Sequence, residues 1–129
     1  MKEPDPYLNQ LSDLVIGAAI EVHRELGPGR EESVYENALE HELKLRGIQY
    51  ERQPVLNIYY KGEYVGKERL DIWIEKKLVV ELKSVEKVLD LHKAQVRSYL
   101  KTAENELGLL INFNVILLKD GITRIVQTN

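Results

Sequence analysis

The chain has 129 residues, 43% hydrophobic and 30% charged, the balance of one globular domain large enough to bury a core without staples. A net charge of −3 argues against a general nucleic-acid coat but leaves room for an enzyme with a local basic rim. With no cysteine, disulfides and thiolate metal sites are excluded, and no apolar run approaches the ~20 residues that span a bilayer; a cytoplasmic protein without a secretory leader or membrane partner is the expectation. Residues 1–8, with Pro4 and Pro6, read as a flexible N-terminal arm ahead of a single domain over 9–129.

From Asn9 to Glu25 the residues Leu11, Leu14, Val15, Ala18 and Val22 recur at helical spacing, with Leu26 continuing the stripe before Gly27-Pro28-Gly29 ends it. A second helix is predicted from Arg30 to Arg46, with Gly47 as its stop and Tyr35, Ala38, Leu39, Leu43 and Leu45 on its buried arc. At 100° per residue, Glu32 lies within about 20° of Leu39 and Leu43, an acid at the core-facing edge of a helix start. For a lone glutamate there, compensation of the helix dipole is the simpler explanation. Glu42 shares the arc and is accounted for by an i,i+4 pair with Arg46. Strands follow at 49–60, 63–75 and 77–84. A third helix runs from Leu91 to Ala103 with Asp90 as N-cap, then a buried strand along the apolar run Gly108 to Leu118 and a final strand, Ile122 to Val126, after the Asp120-Gly121 turn.

The chemistry is concentrated in the middle two of these segments. In Arg69-Leu70-Asp71-Ile72-Trp73-Ile74 and Leu78-Val79-Val80-Glu81-Leu82-Lys83, the even-numbered residues form an apolar face, while Asp71, Glu81 and Lys83 occupy the other. A hairpin with Glu75-Lys76-Lys77 as its loop puts Ile74 opposite Leu78 and Asp71 opposite Glu81. Two carboxylates so placed repel, and a cation between them is what reconciles them. Oxygen donors without thiolates or paired histidines favour Mg²⁺ or Mn²⁺ over zinc. Lys83 on its own reads equally well as a salt-bridge partner for Glu81 or Asp71, and Trp73 as core packing. On the third helix Gln95 and Tyr99 share a face with His92 nearby, while Lys93, Arg97 and Lys101 form a solvated stripe opposite. His23 and His41 lack partners at ligand spacing and read as structural.

Asp71 followed by Glu81-Leu82-Lys83 resembles the D…ExK core of the PD-(D/E)XK nuclease superfamily. Gly29-Arg30-Glu31-Glu32-Ser33-Val34-Tyr35 fits the GxxExxY pattern of one branch of it, and Gln95-Val96-Arg97-Ser98-Tyr99 is similar to the QxxxY element of related nucleases. The resemblance covers residues 9–127. It implies an α/β (α+β) fold with a restriction-endonuclease-like αβββαβ core and an extra N-terminal helix, which either covers that core or serves self-association.

The implied activity is a metal-dependent nuclease hydrolysing phosphodiester bonds in DNA, less readily RNA, with Mg²⁺ or Mn²⁺ as cofactor. Asp71 and Glu81 would be direct ligands with the Leu82 carbonyl as a third, and Glu32 would bind through water or a second ion. Lys83 would orient the attacking water, while Gln95, Tyr99 and His92 would position the nucleic acid. Two other functions fit the same residues. One is a catalytically inactive module of the same fold that binds nucleic acid or a protein partner, favoured by the lack of a broad basic surface; the other is a phosphoesterase for a small molecule.

Overall fold

The computed structural model describes residues 4–127. Helix α1 spans Pro6–Leu26, with Asp5 as N-cap accepting the Tyr7 N–H at 2.7 Å. It therefore begins earlier than expected: residues 6–8 of the segment read as an arm form its first turn, and 1–3 lie outside the described residues. Helix α2 spans Glu32–Leu45 and stops at Gly47, whose φ of +68° closes a turn in which the Ile48 N–H reaches the Leu43 carbonyl at 3.0 Å. Its Tyr35, Leu39 and Leu43 are fully buried, but Leu45, assigned to the same arc, is exposed, as is Leu14 of α1.

Five strands build one sheet in the order β1 (Tyr50–Arg52), β4 (Ile72–Ile74), β5 (Leu78–Lys83), β6 (Leu107–Asn112), β7 (Ile122–Val126). Only β5 and β6 run parallel, joined by α3 (Asp90–Ala103), while the other pairs are antiparallel. β5 and β6 are buried along nearly their whole length, as strands covered on both faces must be. On one face α1 and α2 pack over Ile72, Ile74, Val80, Leu82 and Leu109; on the other α3 packs over Val79, Leu110 and Ile125. α1 is thus a cover for the core, with Val15, Ala18 and Ala19 fully buried. This mixed architecture is that of a restriction-endonuclease-like core.

The two long strands predicted at 49–60 and 63–75 are each broken. Pro54 has no N–H to give a ladder and Gln53 adopts a left-handed φ of +54°, so the chain turns out of the sheet there. Beyond the break, β2 (Val55–Tyr60) and β3 (Glu63–Arg69) form a separate two-stranded ribbon. Two bonds stitch the break, Gln53 N–H to the Asp71 carbonyl at 2.8 Å and Leu70 N–H to the Pro54 carbonyl at 3.1 Å. Alternation consequently does not carry through Leu70, which packs with Val79 and Leu100 under α3 rather than with Ile72 and Ile74. Helix α3 is capped at Leu89, not at Asp90, which is its first helical residue.

Candidate active site

The β4–β5 hairpin has the expected register, Ile74 opposite Leu78 and Ile72 opposite Val80. Extending it by one pair brings Asp71, just before β4 begins, against Glu81. Asp71 Oδ2 accepts the Leu82 N–H at 2.9 Å, and the Asp71 N–H points to Glu81 Oε1 at 3.4 Å. Because N–H and C=O of one strand residue face the same edge, the Leu82 carbonyl lies on the edge of β5 that its N–H occupies.

Glu81 is buried, 5% exposed, and Asp71 is half-buried. Burial, and then the adjacent Asp71 charge, push the Glu81 carboxyl up to about 9, with Lys83 pulling it back. Burial also raises Asp71, opposed by the Leu82 N–H. Among the described residues neither acid has an ion pair, so the salt-bridge explanation of Lys83 is not realised.

Glu32, in the first turn of α2, is brought to the same place. Burial and then the Asp71 charge raise its carboxyl, and Lys83 lowers it. The loop before it is held by Tyr35, whose ring stacks on Phe113 with centroids 4.5 Å apart. The Tyr35 hydroxyl donates to the Gly27 carbonyl at 2.5 Å and accepts the Arg30 N–H at 3.1 Å. Ser84, next to Lys83, donates to the Arg30 carbonyl at 2.5 Å. Tyr35 and Ser84 together therefore pin the loop before α2 to the end of β5.

From α3, Gln95 and His92 line one cleft with Lys83. His92 Nδ1 accepts the Leu89 N–H at 3.0 Å, so its neutral ring carries the proton on Nε2. Tyr99 lies beneath, its hydroxyl pushed up to about 12 by burial and by the charges of Glu81, Glu68 and Asp71. Trp73 is half-buried and donates to Asn105 Oδ1 at 2.7 Å, a packing role. His23 is also structural, its Nε2 2.8 Å from the Val115 carbonyl. Glu42 pairs with Arg46 at 2.7 Å as expected. An apolar groove between α1 and residues 116–119 shares no residue with this cluster.

Three residues near the acids escape the sequence reading. Glu36, buried on α2, raises Glu32 and Asp71 and is held by Arg52 at 2.7 Å and Gln53 at 2.8 Å. It sits one turn after Glu32, about 40° round the wheel, which was a usable signal. Glu68 Oε1 is buried without a hydrogen-bond partner among the described residues; an acid of the same parity as Leu70 was the clue. Asn112 accepts the Val85 N–H at 3.1 Å and donates to the Val85 carbonyl at 2.9 Å, fixing the chain just past Lys83, and nothing local signals it.

Among the described residues no three histidine, aspartate or glutamate side chains are grouped closely enough to hold an ion. Even so, the adjoining carboxyl groups of buried Glu81 and half-buried Asp71 are hard oxygen donors, and they fit a divalent cation.

The family model of the PD-(D/E)XK nuclease superfamily matches residues 9–125. The solved structure of SSO0001 is similar, with 26% identity and a TM-score of 0.52 over 72% of this chain. This chain spans 47% of that one. No curated protein matches.

Proposed function

The chain belongs to the PD-(D/E)XK nuclease superfamily, and from that premise we propose that it is a metal-dependent nuclease of the GxxExxY branch, hydrolysing phosphodiester bonds in DNA rather than RNA, in the cytoplasm. The observation that carries this reading is the adjoining Asp71–Glu81 pair, Glu81 buried and Asp71 half-buried, with Lys83 beside it.

Asp71, Glu81 and the Leu82 carbonyl would hold Mg²⁺ or Mn²⁺, with Glu32 bound through water or holding a second ion. A bound ion supplies positive charge that offsets charge building on the phosphoryl oxygens and lowers the pKa of a nearby water. The Lys83 ammonium, beside the acids, orients that water and donates to a phosphoryl oxygen. The water oxygen bonds to phosphorus, the bond to the sugar oxygen breaks, and the proton passes to solvent or to the leaving oxygen. Gln95 and the His92 Nε2–H, in the cleft with Lys83, bind backbone oxygens of the substrate. Tyr99 supports the acids from below.

Among the described residues no third histidine, aspartate or glutamate clusters with the pair, which favours a second reading, a nuclease-fold module that binds nucleic acid or protein without cutting. A cleavage panel of linear, nicked, branched and single-stranded DNA and of RNA, in Mn²⁺ and Mg²⁺, separates the two. Cutting by wild type and its loss in Glu81→Ala and Lys83→Ala support the nuclease. Equal cutting by all three points to a contaminant and sinks it, and binding without cutting favours the second reading.

A further inference from the structure

The β2–β3 ribbon has two unlike faces. Its inner face carries Leu56, which packs into the cluster beneath α3, together with Glu68. Its outer face is a row of three cross-strand pairs: Val55 opposite Arg69, Asn57 opposite Lys67, and Tyr59 opposite Tyr64. All six residues are exposed, the tyrosines at 63% and 54%. The ribbon's two acids are not in this row, since Glu68 pairs with Leu56 and Glu63 with Tyr60 at the tip.

In a chain of net charge −3 this is a segregated strip, two cations, an amide and two aromatic rings without a carboxylate. Neither Lys67 nor Arg69 has an ion pair among the described residues. The tyrosine rings meet edge to face, centroids 6.0 Å apart and planes at 71°, so each braces the other before any ligand arrives. The strip begins at Arg69, two residues before Asp71, and runs roughly 16 Å outward.

We infer that this outer face docks unpaired, single-stranded nucleic acid, with Arg69 and Lys67 on phosphates and Tyr59 and Tyr64 stacked on bases. The inference rests on the nuclease reading of the neighbouring acids and names its substrate class. Every base has a π-face, but a duplex hides those faces, and two cations are few for a double strand.

The test is fluorescence anisotropy with a labelled 20-nucleotide oligo(dT) and a labelled 20-base-pair duplex, in EDTA so that nothing is cut. Wild type should bind the single strand more tightly. Tyr59→Ala/Tyr64→Ala should weaken that binding by roughly tenfold or more, and Tyr59→Phe/Tyr64→Phe should restore it. Lys67→Glu/Arg69→Glu should flatten the logarithmic salt slope by about 1.4. Circular dichroism confirms folding, which these exposed positions do not affect. Failure to bind oligo(dT), preference for the duplex, or variants that bind like wild type would overturn the inference. So would a wild-type self-association, seen by ultracentrifugation, that the variants abolish while oligo(dT) binding stays the same. Cleavage in Mn²⁺ is read separately: binding without cutting fails the nuclease reading alone, and cutting with unaltered ribbon variants fails this inference alone.

Discussion

Asp71 and Glu81 are reciprocally clasped: the carboxylate of each faces a backbone N–H from the other's strand, Asp71 Oδ2 toward Leu82 at 2.9 Å and Glu81 Oε1 toward Asp71 at 3.4 Å. The clasp brings the two carboxyl groups together, Glu81 buried and Asp71 half-buried.

The pH dependence of stability follows from that. Glu81 ordinarily titrates at 4.5 and in the folded protein near 9. Between those values the folded state holds a proton that the unfolded chain has released. The stabilisation associated with that proton is complete below 4.5 and is lost as pH rises through 9. Asp71 is shifted in the same direction. Calorimetry in EDTA should show the melting temperature falling from pH 5 to 9, with a flatter profile for Glu81→Gln. Identical profiles would contradict the assignment.

Divalent metal should reverse this loss. Mn²⁺ or Mg²⁺ should raise the melting temperature of wild type most at pH 8–9, with proton release measurable in buffers of different ionisation enthalpy by titration calorimetry. Asp71→Asn keeps an acceptor for the Leu82 N–H but should abolish the metal response. A metal response that survives this substitution would remove Asp71 from the ligand set.

Lys83→Met keeps an unbranched side chain one atom shorter and deletes its charge. Cleavage should fall by roughly 10²–10³-fold in kcat, in line with the loss of one group stabilising developing charge. Lys83 also lowers Glu32, Asp71 and Glu81, so the metal-free variant should lose more stability at alkaline pH than wild type does. A kcat within a fewfold of wild type would exclude Lys83 from the reaction.

Arg52→Ala removes the guanidinium that binds Glu36 at 2.7 Å and Glu40 at 2.9 Å, joining α2 to β1. Glu36, 6% exposed at its side chain, would be left close to Glu32 and Asp71 without its cation. The cost should be about 2 kcal/mol in urea unfolding, reduced in Arg52→Ala/Glu36→Gln. An unaffected double-mutant cycle would show that the pair is not coupled.

At Gly121 an added Cβ would lie 2.1 Å from the Asn112 carbonyl oxygen, a backbone atom with little room to move. Gly121→Ala should therefore destabilise by about 3 kcal/mol or more. Since Asn112 clamps Val85 beyond Lys83, cleavage should fall further than the unfolded fraction explains. Activity that scales with the folded fraction alone would show that the clamp does not position Lys83.

What could be read from residue order was what short-range geometry governs. The period of two in β4 and β5 follows from the pleat, so the pairing of Ile74 with Leu78 and the approach of Asp71 to Glu81 were legible. The wheel position of Glu32 was legible for the same reason, since helical rotation depends only on neighbours along the chain. Where Pro54 and Gln53 eject the ribbon, that periodicity ends: Leu70 goes to the opposite face and Glu68 turns toward Tyr99. The partners of Glu36 and Asn112 come from 16 and 27 residues away. Those meetings depend on which long-range packing best removes apolar surface from water, a balance summed over the whole molecule that no local stretch of sequence contains.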